Sequence, residues 1–210
     1  AIADAAVIGV PDQRLGETPF KSIIIPRPIG WISSIDGESV GNLAPFSFFN
    51  AVSEEPPIVM FSCGSSLEKD GKKDTLRNVE LTREFVCNVA TWDLREQMNE
   101  SSARLNPKVD ELTEAELTAI PSILIKPSRV AEAPIHLECK HIKSIELPYL
   151  SESNRNVIVL GEVIGIHIID ELIMENGLIN VDRLSAIGRL GYTDYVRIGK
   201  GNTFSMTRPD

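Results

Sequence analysis

The stretch from residue 27 to residue 62 constrains the fold more than any other, because it strings strand-forming segments between residues that favour turns. Residues 29–35, 40–51 and 58–62 are rich in Ile, Val, Phe and Trp. Between them stand Asp36-Gly37, which tolerates positive φ, and Glu55-Pro56-Pro57, whose prolines cannot donate to a ladder. The simplest reading is a β-meander of three short strands opening an all-β start. On the middle strand, residues two apart share a face, so Asn42, Ala44, Phe46 and Phe48 fall on one side and Pro45, Ser47 and Phe49 on the other. Aromatic surface on both sides suits a strand between a core and a ligand or second subunit, and equally a plain sandwich core; periodicity does not choose between them.

Further along, residues 63–73 form a polar loop that leads into an amphipathic segment at 74–81, with Asp74 as its expected N-cap. Residues 84–91 return to strand character, and the segment 92–104 carries Leu94 and Met98 at the spacing of one helix face. Thr113 and Glu116 have capping-box spacing and predict a short helix beginning there, limited by Pro121. Residues 135–147 and 156–169 read as the two long arms of a hairpin. Gly161 and Gly165 interrupt the second arm, which predicts bends or bulges where a barrel curves. Asn176-Gly177 is a turn, and residues 180–190 read as a last short helix with Leu184 and Ile187 facing inward. No repeat and no linker-like composition divides the 210 residues, so a single domain over residues 1–210 is expected.

The formal net charge of −9 argues against nucleic-acid or anionic-membrane partners, while leaving room for a small anion at a locally basic spot. The three cysteines, Cys63, Cys87 and Cys139, stand far apart in apolar strand contexts and are expected to be reduced core residues. The first ten residues, AIADAAVIGV, lack a basic leader, and no apolar run approaches the roughly 20 residues that span a bilayer. A cytoplasmic location is the default expectation.

Several chemistries can be weighed on spacing. Lys69, Lys72 and Lys73 run directly into Asp74 and Thr75, so cations, helix-end amides and a hydroxyl converge where a phosphate would sit; the same residues also suit a solvated loop. No Gly-x-Gly-x-x-Gly lies between a strand and a helix, Gly199-Lys200-Gly201 running instead into Asn202-Thr203-Phe204, and no P-loop sequence is present. His136 and His141 are five apart and are read on opposite faces of one strand, and His167 is read without an acidic partner, which disfavours zinc. No Gly-x-Ser-x-Gly elbow supports a hydrolase triad.

Four segments together resemble the flavin reductase-like family: Arg27-Pro28-Ile29-Gly30-Trp31, the run from Asn42 to Asn50 (NLAPFSFFN), Lys73-Asp74-Thr75-Leu76, and Gly161-Glu162-Val163. The resemblance extends from about Phe20 to Arg197. It implies a mainly β, Greek-key type FMN-binding split β-barrel with a few short peripheral helices, working as a homodimer with FMN near the subunit interface. The family's flavin-contacting segments fall on Asn42, Leu43, Ala44, Pro45, Ser47 and Phe48 at the ring, and on Ser62, Lys73, Asp74 and Thr75 at the ribityl and phosphate side. Arg27, Trp31, Ser33 and Ser34 are next in line, and Ser101 and Ser102, in a Met-Asn-x-Ser-Ser segment, are candidates to close the pocket.

The activity so implied is an oxidoreductase passing electrons from NADH or NADPH, as a transient co-substrate, through FMN to an acceptor. FAD is a less suitable cofactor, because the phosphate region is short. No protein nucleophile or metal is needed, since the chemistry resides in the flavin. Two other readings stay open: an FMN-binding electron carrier of flavoredoxin type, fed by a redox protein partner, and a flavin-free dimeric barrel. The basic tail from Arg197 to Arg208 reads as a lid or a flexible end.

Overall fold

In chain order, the computed structural model contains α1 (Phe20–Ile23), β1 (Arg27–Pro28), β2 (Gly30–Ile35), β3 (Gly41–Phe46), β4 (Phe49–Glu54), β5 (Pro57–Gly64), α2 (Asp74–Thr82), β6 (Glu84–Val89), α3 (Arg95–Glu100), α4 (Glu111–Glu114), β7 (Ala119–Ile120), β8 (Arg129–Val130), β9 (Ile135–Glu146), β10 (Asn156–Ile168), α5 (Val181–Leu184), β11 (Ile187–Arg189) and β12 (Tyr195–Arg197). It describes residues 19–66, 70–103 and 109–209, so Lys69 and the N-terminal decapeptide lie outside the described residues.

Seven of these strands form an antiparallel sheet in the order β3-β2-β6-β9-β10-β5-β4. Its two edge strands, β3 and β4, are joined by Ser47 and Phe48 alone. A connection that short forces the edges together, so the sheet must curl on itself. Contact across the seam agrees: a Cβ placed on Gly30 of β2 would lie 2.5 Å from Cδ2 of Phe49 on β4. Strands β5 and β6, consecutive in the chain, are separated in the sheet by β9 and β10, which is a Greek-key path.

Two apolar cores result. Inside the barrel pack Ile32, Phe46, Val59, Phe61, Phe85, Cys87, Cys139, Val157 and Val159, sealed by Leu76 and Val79 of α2. The second core lies on the other side of β2 and β3, where Trp31 and Leu43 meet Leu94, Met98, Leu112 and Val130. Strand β2 is therefore covered on both faces. All three cysteines are buried and free, as expected. Burial pushes the Cys63 thiol up to about 12, so it stays protonated.

The hairpin of β9 and β10 forms as its sequence suggests, with register shifts at Leu160/Gly161 and Val163/Gly165. At Gly161 a Cβ would stand 2.3 Å from Cζ of Phe85, so this position admits only glycine without repacking the barrel interior.

Four expectations need correction. The segment 40–51 is two strands, because the chain turns the barrel corner at Ser47 and Phe48, and Phe48 no longer continues the face of Asn42 and Ala44. The short helix after residue 109 starts at Glu111, capped by Asp110 through the Leu112 amide at 2.9 Å, while Glu116 has positive φ beyond the helix end. The predicted helix over 180–190 stops after one turn at Ser185, in the left-handed region, and Ile187 belongs to β11. Asp74 is the first residue of α2 rather than its cap; Lys73 holds the cap position and supplies no side-chain cap.

Among the described residues no helix is long and apolar enough to cross a membrane.

Candidate functional site

At the corner joining β3 to β4, the barrel mouth faces a small three-stranded sheet in the order β1-β11-β12. Between them lies a cleft of about 700 Å³. One wall is Pro45, Phe46, Ser47 and Phe48 of the corner with Ser62 and Gly64 of β5; Lys73 stands just before α2; the other wall carries Arg27 and Ile29, Lys21 and Ser22 of α1, and Arg189, Tyr192, Thr193 and Tyr195. Met98, Asn99, Ser102 and Asn156 complete it.

Four cations and no carboxylate line this cleft among the described residues. In a chain of net charge −9, that is a local reversal of sign. The Lys73 ammonium sits 5.8 Å from the centroid of the Phe46 ring, and the Arg27 guanidinium 5.9 Å from that of Phe48. Lys73 supplies no side-chain cap to α2, so the Asp74 and Thr75 amides keep their hydrogen-bonding capacity while the Leu76 amide turns to the buried Cys63 sulfur. The arrangement is built to receive an anion with a planar, partly apolar body.

Of the sixteen residues singled out from sequence, Arg27, Pro45, Ser47, Phe48, Ser62, Lys73 and Ser102 line the cleft. The other nine do not line it. Asn42, buried, donates through Nδ2 to Thr75 Oγ1 at 2.9 Å and to Ser34 Oγ at 3.3 Å, and Asn78 donates to the same Ser34 oxygen. This network ties β2 and β3 to the first turn of α2 and so fixes where the helix points. Asp74 pairs with Arg77 on the exposed side of that turn.

Trp31 is wholly buried and donates to Ser101 Oγ at 2.9 Å, while Ser101 donates to the Met98 carbonyl. The two adjacent serines therefore face opposite ways, Ser101 inward and Ser102 toward the cleft. Ser33 is turned to the second core, donating to the Ser128 carbonyl and accepting from Asn88. Leu43 is a core side chain whose amide donates to Glu111 Oε2 at 3.1 Å. Ala44 packs against the barrel interior. Burial, with smaller contributions from Asp74 and Asp110, pushes the Glu111 carboxyl up to about 7 against the opposing amide bonds.

Sequence reasoning missed Lys21, which α1 brings to the cleft, and Arg189, Tyr192 and Tyr195, which enter it because β11 pairs with β1 at Arg27↔Arg189. It also missed the acidic partner of His167: Glu138, fully buried, lies 2.6 Å from its Nε2 and accepts from the amides of Ile123 and Leu124. Those bonds outweigh burial and hold the Glu138 carboxyl below its ordinary range. This cluster pins the segment over β9 and lies apart from the cleft. No group of side chains suited to a metal ion occurs among the described residues.

Residues 22–184 match the family model described as a flavin reductase like domain. The chain belongs to the flavin reductase-like family. Its fold is the split β-barrel of that family. An uncharacterized protein of Aquifex aeolicus is 36% identical over 185 residues, covering 87% of this chain and 91% of the relative. Among solved structures, nitrilotriacetate monooxygenase component B from Bacillus cereus superposes with a TM-score of 0.84 at 30% identity, covering 97% of this chain and 100% of that one. The Pseudomonas fluorescens 2-nitrobenzoate 2-nitroreductase NbaA gives 0.77 at 28% identity, with 90% and 88% covered. Within this flavin reductase-like chain, the matched span takes in the barrel mouth and α2, whereas Arg189, Tyr192 and Tyr195 of the far wall lie beyond it.

Proposed function

We propose that this chain binds FMN in the cleft at the barrel mouth and acts as a flavin-dependent oxidoreductase, taking electrons from NADH or NADPH and passing them to an acceptor. The observation that carries this reading is Lys73 beside a helix start that no side chain caps, facing the Pro45, Ser47 and Phe48 wall in a cleft that no carboxylate lines among the described residues. The residues fit the cofactor. A cleft of about 700 Å³ is within the range of small-molecule sites, roughly 300–1,000 Å³. Lys73, the first amides of α2 and Ser62 provide charge-assisted bonds for a phosphate. Pro45, Phe48 and the Ser47 hydroxyl offer a flat, partly polar wall for a ring system.

When bound, the flavin supplies hydride acceptance and electron transfer, and the protein positions and tunes it. Lys73 neutralises charge at the phosphate end, Asn42 and Thr75 hold the helix that aims at it, and the corner at Ser47 and Phe48 sets the depth of the site. The similarity to a named component of a monooxygenase supports a chain that hands reducing equivalents onward. A homodimer is the working form in this reading; the neighbouring exposed side chains of Ile123 and Leu124 offer apolar surface suited to a second copy.

The test is anaerobic stopped-flow mixing of FMN-loaded protein with NADH or NADPH. Bleaching of the flavin bands by at least one of them is expected. Bands that persist with both, yet bleach with a reduced redox protein, would replace this reading with that of an electron carrier, which the absence of a dedicated dinucleotide sequence motif favours.

A further inference from the structure

The three-stranded sheet opposite the barrel mouth carries an uncompensated cluster of positive charge. Arg27 and Arg189 are register partners on adjacent antiparallel strands, and Arg189 is in turn the partner of Tyr195. Like charges directly opposite one another in a sheet are destabilising unless something lies between them. Neither arginine has a carboxylate partner among the described residues. The Arg27 head group is spent on carbonyls instead: Nη1 donates to those of Lys21 and Ile24, and Nη2 to that of Leu190 at 2.8 Å. Its Nε is buried with no hydrogen-bond partner, in a residue only 6% exposed.

A buried donor without a partner and a pair of guanidiniums without a counter-ion are costly features for a fold to retain. Burial, reinforced by Arg189, lowers the proton affinity of Arg27, the response of a cation held without a counter-charge. Arg189 stacks on Tyr195 at 4.3 Å and donates to the Tyr192 carbonyl, which holds its planar head group in place on the cleft wall. Lys21 reaches the same wall from α1. The Lys73 end, beside Phe46 and α2, belongs to different elements of the fold.

We propose that Arg27, Arg189 and Lys21 form a second anion subsite, separate from the Lys73 end, that takes the oxyanion of the substrate exchanging electrons with the bound flavin. This rests on the FMN reading of the cleft. The oxyanion is a phosphate or a carboxylate. A phosphate would come from a dinucleotide, and a carboxylate from an aromatic acid whose ring meets Tyr192 and Phe48.

The experiment is calorimetric titration of FMN-saturated protein with inorganic pyrophosphate and, separately, with benzoate, for wild type, Lys21→Gln and Arg189→Gln. At least one probe is expected to bind the wild type. Its dissociation constant should rise tenfold or more in each variant, while FMN affinity, read by quenching of flavin fluorescence, changes less than twofold. Binding of pyrophosphate alone assigns the subsite to a phosphate, binding of benzoate alone to an aromatic carboxylate, and binding of both to an oxyanion of either kind. Arg189→Gln removes a like-charge contact and Lys21 is exposed, so both variants should fold. Binding of neither probe, or binding unchanged in both variants, would overturn the subsite. Loss of FMN affinity in the variants would also overturn it, by making these cations the cofactor's own. Should the wild type take up no FMN, the flavin reading fails by itself, and the same titrations on flavin-free protein still decide the subsite.

Discussion

Thr75 shows how a residue can matter to a site it does not line. Its side chain is 1% exposed and its hydroxyl accepts from Asn42, so it acts by anchoring the first turn of α2 rather than by reaching into the cleft. Thr75→Ala leaves a buried amide short of a partner and should lower stability by about 1–3 kcal/mol in urea denaturation, with Thr75→Ser recovering most of the loss. Glu111 supplies a pH test. Its carboxyl titrates near about 7 in the folded chain against an ordinary value of 4.5, so the folded state binds the proton more tightly. The stability this contributes is full below the unfolded value and is lost as pH rises through the folded one. Melting temperature measured from pH 5 to pH 8 should therefore fall more in wild type than in Glu111→Gln, which keeps an acceptor for the Leu43 amide; parallel curves would contradict this. Lys73 was singled out from its place before a helix start, and Ser47 and Phe48 from the resemblance of their segment to the family, and all three line the cleft. Arg189 and Tyr195 were not singled out, since their place in the cleft depends on a pairing with a strand more than 150 residues earlier.

Among the elements, the clearest agreement between sequence and structure is the β9–β10 hairpin, whose glycines mark both register shifts. The physical reason is local: a glycine in a strand is unfavourable unless another group occupies the space of its Cβ, and at Gly161 that group is the Phe85 ring. Gly161→Ala should then cost about 1–3 kcal/mol through overpacking of the barrel interior, measured as a shift of the urea midpoint with unchanged slope. A neutral substitution would show that Phe85 has room to move. The corner at Ser47 and Phe48 was not legible, because Phe46, Phe48 and Phe49 run apolar across it and no glycine or Asx-Gly pair marks the bend. The sheet's closure imposes it. Residue patterns similarly placed a helix over 180–190, where pairing of Ile187 to Arg189 with two neighbouring strands prevails over local helical spacing.

At the scale of the whole molecule, a chain of strong negative charge lines one cleft with four cations and no carboxylate among the described residues. Barrel closure creates the mouth, the Greek-key crossing places α2 at its rim, and the small sheet of β1, β11 and β12 supplies the opposite wall. The corner and the rim helix were named from sequence, as was Arg27 on the opposite wall; Arg189, Tyr192 and Tyr195, which complete that wall from the other end of the chain, were not. Sedimentation of the FMN-loaded protein should give twice the 23.1 kDa chain mass, and Ile123→Glu should shift it toward the monomer. The measurement that bears most directly on the account is titration of flavin-free protein with FMN and with riboflavin, followed by flavin fluorescence. One FMN per chain is predicted, with riboflavin at least tenfold weaker and most of that gap lost in Lys73→Ala, as expected for charge-assisted bonds to phosphate worth about 1.5–3 kcal/mol. Equal affinity for the two flavins in wild type, or no binding of either, would contradict it.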